Sequence, residues 1–378
     1  MAKKKKQVRA QFRKNRTTPA RESDWTRKFR ADETVPDEAP RVERISGKGD
    51  LTRKRTVVGV EADSDADGFG VRLDVDETTC LRGRVLSVFG LTSTVEADDG
   101  QLYHCATRRI LKTLSTEQRH VVAAGDHVLF RPANANEGII ERIEPRHGIL
   151  SRTSRGRQHV IVANIDQLVI VGSAAEPYLK PNLIDRFLVA AEKGRFRPLI
   201  CINKVDLVDP AGLQPIVGVY SQMGYEVLLL SAVTGFGVER LRHRLAGQQS
   251  VISGQSGVGK SSLLNAVEPG LDLRVGRVSA ESQKGRHTTT TARLLRLASG
   301  GYVVDTPGLR QFQLWDIIPE EVAGFYRDIR PLVSLCKFPD CTHSHEDCCA
   351  VKDAVADGWL DARRYESYLH LRAGEMEA

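Results

Sequence analysis

The sequence predicts a multidomain α/β protein: a small β-barrel, then a domain of alternating strands and helices, then a helical segment rich in cysteine and histidine. Three observations carry this. About five short strand-like runs fall between residues 80 and 147, buried-type apolar runs alternate with helical patterns over residues 155–315, and four cysteines with two histidines crowd between Cys336 and Cys349. A length of 378 residues suits two or three domains. Hydrophobic content of 41% and charged content of 27% are ordinary for a folded protein. No run approaches the ~18 apolar residues that a membrane helix needs. A polybasic start without an apolar run behind it points away from a secretory signal. Seven cysteines, most of them clustered, resemble metal ligands in a reducing compartment more than a disulfide framework. The expectation is a soluble cytoplasmic monomer without a membrane partner.

Residues 1–79 read as a basic, largely disordered extension, with few apolar residues and an acidic stretch at Glu61, Asp63, Asp65 and Asp67. Residues 1–30 alone carry a net charge of +10, so the rest of the chain sums to −3. Such an arm is suited to the phosphates of a nucleic acid. From Cys80 the texture changes. Arg84–Phe89, Thr92–Ala97, Gln101–Cys105, His127–Phe130 and Gly138–Ile143 read as strands, separated by turns such as Asp98-Asp99-Gly100 and Gly125-Asp126. Five strands in residues 80–147 suit an OB-fold, an RNA-binding barrel, although an SH3-like barrel gives nearly the same pattern.

Past Arg157, strands are expected at Val160–Ala163, Gln167–Gly172, Pro198–Asn203, Tyr225–Ser231 and Ser250–Ser253. Helices are expected at Asn182–Lys193, Leu213–Met223 and Val238–Leu245. Ala292–Leu297 and Tyr302–Asp305 read as a hairpin. From about Asp316 the chain reads as helical, giving a last domain over residues 316–378.

Gly254-Gln255-Ser256-Gly257-Val258-Gly259-Lys260-Ser261 matches GxxxxGK[ST] after a strand, and Ser262 continues into a helix. Its glycines let backbone N–H groups cradle phosphates, Lys260 reaches the β/γ-phosphates, and Ser261 ligates magnesium. Asn203-Lys204-Val205-Asp206 reads as NKxD. The Asp206 carboxylate can accept from both N1–H and the 2-amino group of guanine, a pair adenine does not offer. Asn203 is placed at the purine edge and the Lys204 stem on the ring. Ser231-Ala232, after the next strand, supplies a backbone N–H for guanine O6. Asp305-Thr306-Pro307-Gly308 reads as DxxG, with Asp305 holding magnesium through water and the Gly308 amide sensing the γ-phosphate. Between P-loop and DxxG lies Gly285-Arg286-His287-Thr288-Thr289-Thr290, a switch loop whose threonine completes the metal shell. Thr289 is the choice, though Thr288 or Thr290 would serve equally.

Most GTPases run P-loop, switch, DxxG, NKxD, SA. Here NKxD and SA come first, the order of a circularly permuted domain. The Cys336-x4-Cys341-x-His343-x5-Cys349 spacing suits a closed, structural zinc site, one ion per chain. Spacing alone leaves Cys348 against Cys349 and His343 against His345 open.

The permuted order, the GRHTTT switch, the DTPG and the trailing CxxxxCxH…C site resemble the small ribosomal subunit-dependent GTPase family RsgA (YjeQ). The likeness runs from about Cys80 to the C-terminal helix and includes Arg82-Gly83-Arg84-Val85 and Ile143-Glu144-Pro145-Arg146. It implies an OB-fold, a permuted GTPase domain and a zinc domain, acting late in assembly of the small subunit, binding its rRNA and hydrolysing GTP. The family's zinc pattern falls on Cys336, Cys341, His343 and Cys349, and puts Cys348 where glycine is common. The resemblance also implies a catalytic role for His287, because Leu309 occupies the place after DxxG where Ras-like enzymes carry a water-orienting glutamine. The long N-terminal arm departs from shorter family members. A large-subunit GTPase, or an RNA-binding adaptor that uses GTP only as a ligand, are the rival readings.

Overall fold

The computed structural model describes residues 6–11, 54–61, 71–73, 75–108, 111, 121–154, 157–273, 292–305 and 318–374. The chain divides into two compact units, Met1–Val75 with Arg109–Glu117, and Asp76–Arg108 with Gln118–Ala378. In the first, β1 (Lys6–Gln11), β2 (Lys54–Glu61) and β3 (Val71–Leu73) pair antiparallel in that order. The averaged composition of residues 1–79 does not foresee these strands. The central one forms where Thr56, Val57, Val58 and Val60 concentrate β-branched side chains.

The second unit begins with β4 (Leu81–Phe89), β5 (Thr92–Ala97), β6 (Leu102–Thr107), β7 (His127–Pro132) and β8 (Glu137–Ile143). They are ordered β4-β5-β6-β8-β7, and β4 pairs back onto β7, closing a five-stranded barrel. The parallel pairing of β6 with β8, which skips β7, gives the OB topology that strand count left undecided. Buried positions alternate along β4 and β6, and Val85, Val95, Cys105, Phe130 and Ile140 are fully buried in the barrel.

Next come β9 (Leu150–Ser154) and β10 (Arg157–Val162), a separate antiparallel pair. The sequence assigns Val160–Ala163 to the α/β strands. The strand instead pairs with its immediate neighbour, where loop closure costs least.

The α/β domain contains β11 (Gln167–Ser173), α1 (Pro181–Gly194), β12 (Arg197–Asn203), α2 (Gln214–Gln222), β13 (Glu226–Leu229), α3 (Val238–Leu245), β14 (Gln249–Ser253), α4 (Lys260–Val267), β15 (Arg293–Arg296) and β16 (Tyr302–Asp305). Its strand order is β13-β12-β11-β14-β16-β15, all parallel except β15. Alternation along β11 explains the two helical layers. Leu168 and Ile170 pack with Ile184 and Phe187 of α1 and Tyr220 of α2, whereas Val169 and Val171 pack with Leu241 of α3 and Leu263 of α4. At its edge β15 pairs Arg293 with Ser87 of β4, so barrel and parallel sheet are continuous.

The chain ends in α5 (Val322–Phe325), α6 (Arg330–Val333), α7 (Ala350–Ala356) and α8 (Ala362–Ala373). The Asp361 side chain accepts from the Arg363 backbone N–H to cap α8, and left-handed Gly374 ends it. These helices share a core, including Tyr326, Ile329, Val351 and Tyr368, with Val189 of α1. No helix among the described residues is long and apolar enough to cross a membrane.

Candidate nucleotide and metal sites

At the carboxyl edge of a parallel sheet, loops after neighbouring strands converge, and a ligand there meets several of them at once. The loops after β12, β13 and β14 carry NKxD, Ser231-Ala232 and the P-loop. Asn203 ties all three together. It is 2% exposed, its Nδ2 donates to the Val258 carbonyl at 2.8 Å, and its Oδ1 accepts from the Ala232 N–H at 3.2 Å. Both polar atoms of Asn203, which the sequence places at the purine edge, thereby brace the loops. Ser231 is fully buried, with its Oγ accepting from the Thr234 N–H and its own N–H donating to the Phe236 carbonyl. That fold of the loop leaves Ala232 half-buried beside Asn203.

Val205 is buried and donates its N–H to the Leu230 carbonyl, anchoring the single turn that holds Asp206. Asp206 itself is exposed, and its carboxylate has no hydrogen-bond partner among the described residues. Lys204 takes a left-handed φ of 66° and its Nζ donates to the Glu176 carbonyl.

In the P-loop, Val258 is buried, Gln255 half-buried, and Ser256 and Gly257 exposed. Lys260 Nζ folds back to donate to the Gly254 and Gln255 carbonyls, at 2.8 and 2.5 Å. Ser261 and Ser262 lie half-buried in the first turn of α4. Gly259 has a φ of 92°, and a Cβ there would stand 2.4 Å from Asn203 Nδ2. The brace between loops therefore requires glycine at this position. Beside the P-loop, Gln255 and Val258 line a cleft together with Tyr178, Leu179, Lys180 and Leu183. Asp305 is the last residue of β16, one strand from the P-loop strand. His287, Thr288, Thr289, Thr290, Gly308 and Leu309 lie outside the described residues.

In the C-terminal domain the ligand atoms of Cys336, Cys341, His343 and Cys349 all lie within 4.8 Å of one another. Cys336 Sγ is 3.4 Å from His343 Nδ1 and 3.9 Å from Cys349 Sγ. Cys348 points elsewhere. It is exposed in a left-handed backbone conformation (φ 56°), which explains why glycine suits that place. His345 is exposed too and joins Ser344, not the cluster.

The donor set fits a soft, tetrahedral divalent ion such as zinc. Burial lowers the His343 pKa, which keeps its imidazole neutral with a lone pair to give. Desolvation, with the neighbouring thiols adding to it, pushes the Cys341 thiol up to about 12. A bound cation reverses that penalty by favouring the thiolates.

Braces that the sequence did not reveal hold the knuckle. Glu346 accepts from the Thr342 N–H and hydroxyl and from the Ser344 N–H, bonds that hold its carboxyl well below the usual range. Tyr365 and Tyr368 of α8 donate to the carbonyls of His343 and Thr342 at 2.7 and 2.8 Å. Only their distance in space to the cysteines reveals them, and no spacing rule marks them. Cys349→Ala is expected to lose bound zinc and Cys348→Ala to retain it, as read by metal analysis of the purified variants. Loss in Cys348→Ala instead would contradict the geometry.

A family model described as RsgA GTPase matches residues 143–315. The chain is 40% identical over 346 residues to the small ribosomal subunit biogenesis GTPase RsgA of Ectopseudomonas mendocina (strain ymp), covering 89% of this chain and 96% of that protein. It is 41% identical over 292 residues to the RsgA of Sodalis glossinidius (strain morsitans), covering 76% and 83%. Among solved structures it is similar to YjeQ from Thermotoga maritima, with a TM-score of 0.66 at 36% identity, covering 79% of this chain and 99% of that one. It is also similar to YloQ, a circularly permuted GTPase, with a TM-score of 0.62 at 31% identity, covering 80% and 96%.

Proposed function

The chain belongs to the RsgA GTPase family, P-loop GTP hydrolases of circularly permuted order, and from that premise we propose that it serves in late maturation of the small (30S) ribosomal subunit. It binds the subunit's rRNA and hydrolyses GTP to GDP and phosphate, with the subunit stimulating turnover. The observation that carries the nucleotide part is the Asn203 brace, which joins NKxD, Ser231-Ala232 and the P-loop at one sheet edge although they are far apart in sequence. The printed names of the relatives support the ribosomal part.

In this reading residues 80–147 and 316–378 grip rRNA, residues 155–315 hold the nucleotide, and the basic extension 1–79 adds phosphate affinity. Asn203, Lys204, Val205, Asp206, Ser231 and Ala232 form the guanine side. The P-loop residues Gly254 to Ser262, with Asp305 and Gly308, form the phosphate side. Magnesium, when bound, screens the phosphate charge, and Ser261 and Thr289 are the residues that would hold it. Zinc at Cys336, Cys341, His343 and Cys349 is structural, and the protein works as a cytoplasmic monomer.

GTP turnover measured alone, with purified small subunits and with large subunits tests the proposal. Stimulation by small subunits is expected. Stimulation by large subunits alone, or no turnover in any mixture, would favour the rival readings. Base recognition has its own test. Asp206→Asn should weaken guanine-nucleotide binding by about 2 kcal/mol, roughly thirtyfold, because one guanine donor then faces a donor. Fluorescence titration measures this, and equal affinity of the unmodified protein for GTP and ATP would defeat the assignment.

A further inference from the structure

Helix α1 belongs to two cores at once. Ile184, Phe187 and Leu188 pack under the parallel sheet, while Val189 enters the C-terminal core. Leu183, Ile184 and Phe187 of α1 also line the cleft that faces Gln255 and Val258 of the P-loop. Between these positions stands Asp185, fully buried. Its Oδ1 accepts from Tyr220 Oη at 2.9 Å and from Arg364 Nη1, a partner 179 residues away on α8.

Arg364 is 2% exposed. Its Nε and Nη2 donate to the two carboxylate oxygens of Asp328 at 2.9 Å each, and its guanidinium lies 4.4 Å over the Tyr326 ring. All three nitrogens and one face of this planar cation are thereby engaged. The next residue along α8, Tyr365, and Tyr368 one turn on, hold the His343 and Thr342 carbonyls of the cysteine knuckle. One helix thus grips the knuckle and the cleft-wall helix together.

We propose that Asp185 and Arg364 form a positioning link through which the C-terminal domain sets the α1 wall of the cleft beside the P-loop, so that nucleotide occupancy and the stability of α8 are coupled. A buried ion pair is a poor source of stability, since apolar side chains of the same volume pack as well or better. What it supplies is direction, because the guanidinium meets Asp185 Oδ1 and both oxygens of Asp328 in only one register of α8 against α1. Any shift of α1 caused by a nucleotide then strains or relaxes that register, and the effect runs equally in both directions.

The link rests on the GTPase reading, and one experiment separates the two. Hydrogen exchange is followed in the full chain with and without a non-hydrolysable GTP analogue and magnesium, alongside the affinity for that analogue. In the unmodified protein the analogue should slow exchange across residues 362–373 by about fivefold or more. Asp185→Asn keeps the shape and an acceptor for Tyr220 but removes the charge, and the nucleotide effect should fall below about twofold. Arg364→Lys, which keeps a positive charge but loses the planar fork, should show the same loss and decides the matter if the first variant fails to fold. A purely structural pair would raise exchange equally with and without the analogue and leave the ratio unchanged. That result, or an unmodified protein that binds the analogue without any response in α8, overturns the link and leaves the GTPase reading standing. An unmodified protein that does not bind the analogue overturns both.

Discussion

His287→Ala is expected to lower subunit-stimulated GTP turnover by on the order of a hundredfold or more, while nucleotide binding and association with the subunit stay nearly intact. Hydrolysis needs a group that orients the attacking water. The place after DxxG holds Leu309, whose side chain forms no hydrogen bond. His287 is the nearest polar candidate by motif, and a neutral imidazole can accept a hydrogen bond from water. The sequence places it in the switch loop, so docking of the subunit is expected to complete the site. Single-turnover and steady-state measurements with saturating subunits test this. Full stimulation of the variant would remove His287 from the mechanism and point to a water-orienting group supplied by the ribosome.

The second large effect is expected from Gly254→Ala, a loss of guanine-nucleotide affinity of at least a hundredfold. Gly254 adopts a φ of 148°, and a Cβ there would lie 2.1 Å from the Val171 carbonyl oxygen. That oxygen belongs to β11, which pairs with β14 next to the loop, so the barrier is backbone, not a side chain that can rotate away. The loop must therefore leave its path, and with it go the carbonyls of Gly254 and Gln255 that Lys260 grips. Nucleotide titration together with thermal unfolding separates this local failure from global loss of the fold. Unchanged affinity would mean that the P-loop tolerates displacement from β11.

Local signals explain most of what was readable without the structure. Strand β11 carries the unbroken apolar run Leu168–Val171 because both of its faces are covered, and helix α3 spans the same residues, Val238–Leu245, that its periodicity predicts. The barrel strands were visible through alternation and turn residues. The motif residues were visible because each carries chemistry at fixed spacing along a single loop. Strands β1 to β3 were missed because a basic, polar average over residues 1–79 hides a short β-branched run in its middle.

The sequence by itself determined which loops are proposed to hold phosphate and guanine, that their order is permuted, and that a cysteine-histidine knuckle follows, since each is written in contiguous residues. Tertiary structure decided the rest. Closure of β4 on β7 with β6 beside β8 selects the OB barrel, and the positions of His343 and Cys349 inside the cluster exclude His345 and Cys348 from it. Asn203 becomes a brace, and Asp185 finds Arg364, only when distant segments meet. The physical reason is common to all of them: a buried polar atom takes whatever partner the packed chain brings within hydrogen-bond reach, and that choice is made by long-range contacts which no local spacing encodes.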